Sequence, residues 1–114
     1  MTLQDLIKLL AGYKFHFSTE AELQAAIEKV LVISEAQFTK EAVLSSKDRV
    51  DFLLDSGIGI EVKIGGSAMQ LARQVRRYCE SDKITGLLVV VTKSKLLDLP
   101  KELNSKPIES YYVR

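Results

Sequence analysis

The chain has 114 residues, a length typical of one compact domain, and we expect a single domain over residues 1–114. Apolar residues make up 46% of the chain, so its core needs no disulfide or structural metal. The 16 basic residues almost balance the 15 acidic ones, so a surface for nucleic acid must come from local clustering of charge. One cysteine, no signal-peptide pattern and no apolar run of about 20 residues together predict a cytoplasmic protein that does not contact a membrane.

Two helices are predicted in the first third of the chain. Residues 3–11 place apolar side chains at helical spacing, and Gly12 follows where a helix would stop. Thr19 and Glu22 match a capping box, in which each side chain bonds the other residue's backbone N–H, so a helix of about 14 residues begins there. Its apolar stripe consists of Leu23, Ile27, Val30 and Leu31.

Strand signals dominate the middle of the chain. Residues 49–55 and 58–64 are separated by Asp55-Ser56-Gly57, which has the chemistry of a hairpin loop with Gly57 in the left-handed conformation. Residues 36–44 are weakly strand-like. Residues 86–92 form a continuous apolar run, which is typical of a strand buried on both faces.

The remaining elements complete an α/β arrangement. Ser67 has the side chain of a helix N-cap, and a helix is predicted from there to about Glu80. A short helical turn after Lys93 and a strand near residues 108–113 follow. This order predicts a mixed sheet of four or five strands that is flanked by helices.

Alternation along residues 58–64 separates an apolar face from a charged one. The isoleucines and Val62 point one way and suit the core, whereas Glu61 and Lys63 point the other way. Only Gly57 and Gly59 precede them on the charged face, so we expect an open floor beside the acid and the base.

The hairpin register gives Glu61 an acidic neighbour. If the loop is Asp55-Ser56-Gly57, then Asp51 lies opposite Glu61, with Cβ atoms about 5 Å apart. Two carboxylates at that distance repel each other unless a cation lies between them. A divalent cation with oxygen ligands meets this need, and Lys63 adds to the compensation.

A third carboxylate comes from the helix that begins after Thr19. On a helical projection Glu20 falls in the middle of the apolar stripe, whereas Glu22 falls on the other side and is already used as a cap. An acid on an apolar stripe usually requires a partner, so Glu20 is a further candidate for the site.

These residues resemble a known family. Asp51, nine residues and then Glu61-Val62-Lys63 is similar to the D-x(n)-E-x-K core of the PD-(D/E)XK nuclease superfamily. The segment Glu20-Ala21-Glu22-Leu23 is similar to a helix start in archaeal Holliday-junction resolvases and related phage enzymes. Gln74 and Tyr78 match the Q-x-x-x-Y helix of the RecB-like branch. The resemblance covers residues 18–92, and Val50 stands where that family often has proline.

The resemblance implies a restriction-endonuclease-like fold and a DNA nuclease, in particular an endonuclease. By this resemblance Mg²⁺, with Mn²⁺ as a substitute, is held by Asp51, Glu61, the Val62 carbonyl and Glu20, while Lys63 acts on the attacking water or the phosphate. Gln74 and Tyr78 then line the same cleft. A homodimer is also expected, because so small a chain has little surface for two DNA strands. The expected contacts to the nucleic-acid backbone are Arg49, Arg73, Arg76 and Arg77.

Simpler interpretations remain open at this point. Asp51 and Lys63 also suit an ion-pair ladder on a solvated sheet face, and the arginines suit a solvated helix face. The segment 45–47, Ser-Ser-Lys, is interpreted as a polar turn and Cys79 as a core residue. At the level of function, the alternatives are a catalytically inactive member of the fold that binds DNA or assembles with other proteins, and an unrelated α/β scaffold.

Overall fold

The computed structural model describes all 114 residues. Its helices are α1 (Leu3–Ala11), α2 (Glu20–Ile33) and α3 (Ala68–Cys79), and a 3-10 turn covers Ser94–Leu96. Its strands are β1 (Phe38–Val43), β2 (Arg49–Leu54), β3 (Ile58–Lys63), β4 (Gly86–Val91), β5 (Glu102–Leu103) and β6 (Lys106–Tyr112). The predicted helices, the helical turn and the main strands are therefore all present, with ends that differ by one to two residues.

The strands form one mixed sheet in the order β1-β2-β3-β4-β6-β5. β1, β2 and β3 pair antiparallel, β3, β4 and β6 pair parallel, and β5 pairs antiparallel with β6. The prediction of an α/β fold with a mixed sheet is confirmed, but the expected count of four or five strands is wrong, since there are six. The extra strand is β5, whose two residues are too short to show any alternation in sequence.

Helices cover both faces of the sheet. Apolar side chains of α1 and α2 form one core with Phe52, Ile60 and Val62, whereas α3 forms a second core with Val50 and the opposite face of the sheet. The completely buried strand β4 contributes alternate residues to the two cores, which explains its unbroken apolar sequence. No helix has both the length and the apolar composition needed to cross a membrane.

Local signals explain where the helices begin. The Thr19 hydroxyl accepts the Glu22 N–H at 3.1 Å, and Glu22 Oε1 accepts the Thr19 N–H at 3.0 Å, so the predicted capping box is confirmed. Ser67 caps α3 by accepting the Gln70 N–H at 3.1 Å. The caps fix the starts of α2 and α3, which both lie near the end of β3, where the candidate site is found.

The hairpin between β2 and β3 has the predicted loop. Gly57 has a φ of 94°, and a Cβ atom there would lie 2.6 Å from the Thr85 side chain. Only glycine tolerates both the left-handed backbone and this contact. The loop therefore fixes the register of the two strands, with Phe52 opposite Ile60 and Leu53 opposite Gly59.

β1 and β2 exchange faces at one position. Phe52 packs with α1 and α2, but Val50, two residues earlier, packs with α3, although residues two apart in a regular strand share a face. On β1 the partner position is Glu41, which has a φ of 50°. Asp51 lies opposite Glu41, at the point where the alternation breaks, and its carboxylate accepts the Val62 N–H of β3.

Candidate active site

Asp51 and Glu61 link two strands that are no longer paired through their backbones. The register of Phe52 with Ile60 places Asp51 opposite Glu61, as the sequence predicts. The Val62 N–H donates to Asp51 Oδ2 at 2.8 Å, and the Asp51 N–H donates to Glu61 Oε1 at 3.2 Å. Each carboxylate thus accepts a backbone hydrogen bond from the opposite strand, which brings the two acids together.

Glu61 is the one charged side chain that the fold buries, with 3% of its surface exposed. Burial and, after it, the nearby Asp51 charge together raise the pKa of Glu61 to about 8, against the opposing effects of Lys63 and the Asp51 N–H. Burial also raises the pKa of Asp51, although the Val62 N–H lowers it. Glu61 is buried and Asp51 is half-buried, so the acid pair does not lie on a solvated sheet face.

Lys63 connects the acid pair to the surface. Its Nζ atom lies 3.7 Å from Glu61 Oε2, and 27% of its side chain is exposed. Alternation in β3 places Lys63 on the same side as Glu61, as predicted, so the ammonium group lies between a buried carboxylate and an open cleft. Such a group can act on a phosphate that enters from solvent.

The start of α2 reaches the same place from the other face of the sheet. Glu20 Oε1 accepts the Ile64 N–H at 3.2 Å, one residue after Lys63. The Glu20 charge raises the pKa of Asp51, and a polar contact with Gln24 lowers it. Gln24 was not predicted as a site residue, although its position one helical turn after Glu20 is a signal that could have identified it.

Tyr78 is a buried neighbour of the pair rather than an exposed ligand. Its hydroxyl donates to the Arg49 carbonyl at 2.6 Å, and 1% of the residue is exposed. Burial raises the pKa of this hydroxyl, and the Glu61 and Asp51 charges add to the effect, so it stays a proton donor at neutral pH. Tyr78 thereby holds the start of β2 against α3.

The expected open floor before Glu61 is absent. A Cβ atom on Gly59 would lie 2.9 Å from Ile84 and 3.2 Å from Val50, so neighbouring side chains already fill this space. The missing side chain of Gly59 permits the close approach of Ile84, from the loop before β4, and of Leu87 and Val50 on the neighbouring strands. Access to the acids is therefore from the Lys63 end of β3.

An open cleft of about 360 Å³ adjoins Lys63. It lies between the loop after β3 and one side of α3, and its lining is polar except for Leu71. The residues that line it are Lys63, Gly65, Gly66, Ser67, Gln70, Leu71, Arg73, Gln74 and Arg77.

The four predicted arginines divide into three groups. Arg73 and Arg77 line this cleft together with Gln74, whereas Arg49 lines a second cleft on the far side of Arg77. Arg76 is exposed but lines neither of them. Arg77 is oriented by Asp48, since its Nε lies 3.0 Å from Asp48 Oδ1. The structure thus brings Arg73 and Arg77 to the cleft beside Lys63 and Arg49 to the adjoining one.

The acids fit Mg²⁺ in chemistry. Carboxylate oxygens are the ligands that Mg²⁺ prefers, and Asp51 and Glu61 present them side by side. Asp51 Oδ1 and Glu61 Oε2 accept no backbone hydrogen bond, and Lys63 Nζ lies 3.7 Å from Glu61 Oε2. However, no three acidic, His or Cys side chains converge closely enough to form a ready-made metal site, so Glu20 is near the pair without completing a cage.

Comparison with family models, with curated proteins and with solved structures finds no match to this chain. Assignment to the PD-(D/E)XK superfamily therefore stays a prediction from the motifs around Asp51, Glu61 and Lys63.

Proposed function

We propose that this protein is a Mg²⁺-dependent nuclease that hydrolyses phosphodiester bonds in DNA. The observation that carries the proposal is the acid pair of half-buried Asp51 and buried Glu61, with the Lys63 ammonium 3.7 Å from Glu61 and exposed to a basic cleft. Two neighbouring acids with raised pKa values cost folding free energy, which is typical of a site kept for function.

Asp51 and Glu61 are the proposed metal ligands, with the Val62 carbonyl and Glu20 as further ligands. A bound Mg²⁺ lowers the pKa of a coordinated water and neutralises negative charge on the phosphate. The Val62 and Asp51 backbone N–H groups hold one oxygen of each carboxylate, which orients the second oxygen of each for binding. Glu20 is positioned by its bond to the Ile64 N–H.

Lys63 is the proposed residue that contacts the reacting phosphate. Hydrolysis joins a water oxygen to phosphorus and breaks one ester bond, which leaves a phosphate monoester and a hydroxyl group that takes up a proton. The Lys63 ammonium either orients the attacking water or stabilises the charge that develops on the phosphate oxygens. Its partial exposure and its contact with Glu61 suit both roles.

Gln74 and the arginines are proposed to position the substrate. Gln74 lines the cleft next to Lys63, and Arg73 and Arg77 present guanidinium groups that match phosphate oxygens in geometry. Tyr78 has a positioning role, because its hydroxyl already bonds the Arg49 carbonyl. A homodimer remains part of the proposal, since one small chain has little surface for two DNA strands.

A second candidate function is that of a DNA-binding or assembly subunit without catalysis. It is favoured by one observation, namely that Glu20, Asp51 and Glu61 do not converge into a ready-made metal site. In that case the two acids serve only to hold β2 and β3 together through the Val62 and Asp51 N–H groups.

Cleavage assays separate these two functions. Labelled duplex, branched and single-stranded DNA, with RNA in parallel, is incubated with wild type, Asp51→Asn, Lys63→Ala and the distant control Lys14→Ala in Mg²⁺. We expect cleavage by wild type and Lys14→Ala, and a loss of at least a hundredfold in Asp51→Asn and Lys63→Ala. Lack of cleavage by wild type, or equal cleavage by the Asp51 and Lys63 variants, contradicts the nuclease proposal.

A further inference from the structure

A second cleft of about 410 Å³ lies on the other side of Gln74 and Arg77. It is bounded by α3 and by the turn that joins β1 to β2. Gln74 and Arg77 line both clefts, so they form a wall that the two clefts share. The residues that line the second cleft are Val43, Ser45, Ser46, Lys47, Asp48, Arg49, Gln74, Arg77 and Tyr78.

The turn that contributes Lys47 is held in shape by its own hydrogen bonds. Ser45 Oγ accepts the N–H groups of Lys47 and Asp48, each at 3.1 Å, and the Leu44 N–H donates to the Asp48 carbonyl at 2.9 Å. The Ser45 hydroxyl is thereby used to cap the turn, which confirms the interpretation of residues 45–47 as a polar turn. The turn holds the Lys47 backbone in place at the mouth of the second cleft.

Positive charge is concentrated along the two clefts. Five cationic residues line them against one acid, Asp48, in a chain whose net charge is only +1. Asp48 is already paired with Arg77, whereas Lys47, Arg49 and Arg73 take part in none of the ion pairs of the fold. Their uncompensated charge favours an anionic partner over a neutral one.

The clefts offer phosphate contacts but no surface for stacking bases. The one aromatic residue that lines either cleft is Tyr78, and 1% of it is exposed. Proteins that hold single strands through their bases stack them on exposed rings, which are absent from these clefts. Recognition here is therefore of the backbone.

We propose that the two clefts form one continuous track, in which Lys47 and Arg49 are a second phosphate-binding subsite. A nucleic-acid backbone crosses Gln74 and Arg77 and has phosphates on both sides of that wall. The substrate bond is then internal to the strand, which makes the protein an endonuclease. The position of the cleaved bond rests on the proposed nuclease site at Lys63, but binding along the track can be measured without cleavage.

The test measures binding with the full chain carrying Asp51→Asn, in which the amide oxygen still accepts the Val62 N–H. A fluorescein-labelled 12-bp duplex (about one helical turn) is titrated by anisotropy between about 50 and 200 mM salt. Added to this background, Lys47→Ala with Arg49→Ala removes the second subsite, and Arg73→Ala alters the first cleft. The matched control, Lys14→Ala with Lys29→Ala, removes two exposed charges away from both clefts.

We expect the Lys47 and Arg49 substitutions to weaken binding at least tenfold, and to reduce the slope of log K against log salt by about 0.9 for each lost phosphate contact. Arg73→Ala should weaken binding as well, and the control pair should change it less than twofold. Wild type in Mg²⁺ should cut covalently closed circular DNA.

The two proposals fail in different ways. The track is overturned if the Lys47 and Arg49 variant binds the duplex as tightly as the control variant does. It is also overturned if polyglutamate, at the same charge concentration as DNA, displaces the labelled duplex. If wild type cleaves DNA only from strand ends, the track is overturned, whereas the proposed nuclease activity is supported. Binding as expected without any cleavage by wild type refutes the nuclease and leaves the track.

Discussion

Replacement of Glu61 with glutamine removes the one buried charged side chain and keeps its shape. The glutamine oxygen can still accept the Asp51 N–H that Glu61 Oε1 accepts at 3.2 Å. Burial, together with the Asp51 charge, raises the pKa of Glu61 from its ordinary 4.5 to about 8 in the folded protein. Between these values the unfolded chain has an ionised Glu61, whereas the folded protein keeps it protonated.

The sign of the effect on stability follows from this order of pKa values. Because the folded-state pKa of Glu61 is the higher one, its cost to folding is absent below about pH 4.5, grows as the pH rises and is complete above about pH 8. At about 1.4 kcal/mol for each pKa unit the ceiling is about 5 kcal/mol. Relaxation around the ionised group lowers this, so we expect roughly 2–4 kcal/mol between pH 5 and pH 9.

Urea unfolding at pH 5, 7 and 9 in EDTA, followed by circular dichroism, measures the difference. Glu61→Gln should match wild type within about 1 kcal/mol at pH 5 and exceed its free energy of unfolding by roughly 2–4 kcal/mol at pH 9. Glu102→Gln, at an exposed position, is the control and should show no pH-dependent difference from wild type. A Glu61→Gln protein that is equal or less stable at pH 9 refutes the reasoning.

The same variant tests the role of the acid pair in metal binding. Addition of Mg²⁺ at pH 8 should raise the free energy of unfolding of wild type, because a ligand that binds only the folded state stabilises it. Glu61→Gln should gain less, since one ligand of the pair is lost, and it should be inactive although it is more stable. If Mg²⁺ stabilises both proteins equally, the metal does not bind at Glu61.

Three further predictions concern the structure around the site. Gly57→Ala should destabilise the hairpin by about 1–3 kcal/mol, because of the φ of 94° and the close contact, whereas Gly65→Ala, which meets nothing within 4 Å, should change the melting temperature little. Thr19→Ala should cost about 1 kcal/mol in urea unfolding by removing the cap of α2, and an unchanged midpoint contradicts the role of the capping box. Tyr78→Phe should cost about 1–3 kcal/mol by leaving the Arg49 carbonyl without its partner, and a melting temperature equal to that of wild type shows that this bond is dispensable.

Short-range chemistry made much of the fold predictable. Thr19 and Glu22 identify the start of α2, and Gly57 identifies the loop, because caps and turns depend on residues only a few positions apart. Once the loop is known, the register follows by counting, so the placement of Asp51 opposite Glu61 needed no tertiary information. The strand β5 was not predicted, because its two residues are too few to show an alternation of apolar and polar side chains.

The face exchange at Asp51 could not be predicted. Val50 and Phe52 are both apolar and flank a polar residue, so the segment has the appearance of a regular strand, yet they enter different cores. Both cores accept apolar side chains, so the residue types do not distinguish them. The expected open floor at Gly59 failed for a similar reason, since Ile84 fills it from elsewhere in the chain.

Sequence alone therefore determined the helices, the hairpin and the pairing of Asp51 with Glu61, because each depends on local backbone preferences. Tertiary structure decided the rest, since burial and clustering of charge arise only when distant segments pack together. Packing leaves 3% of Glu61 exposed, beside Tyr78 of α3, and the start of α2 brings Glu20 to Ile64. The same packing sets the turn around Lys47 beside α3, where Gln74 and Arg77 line both clefts.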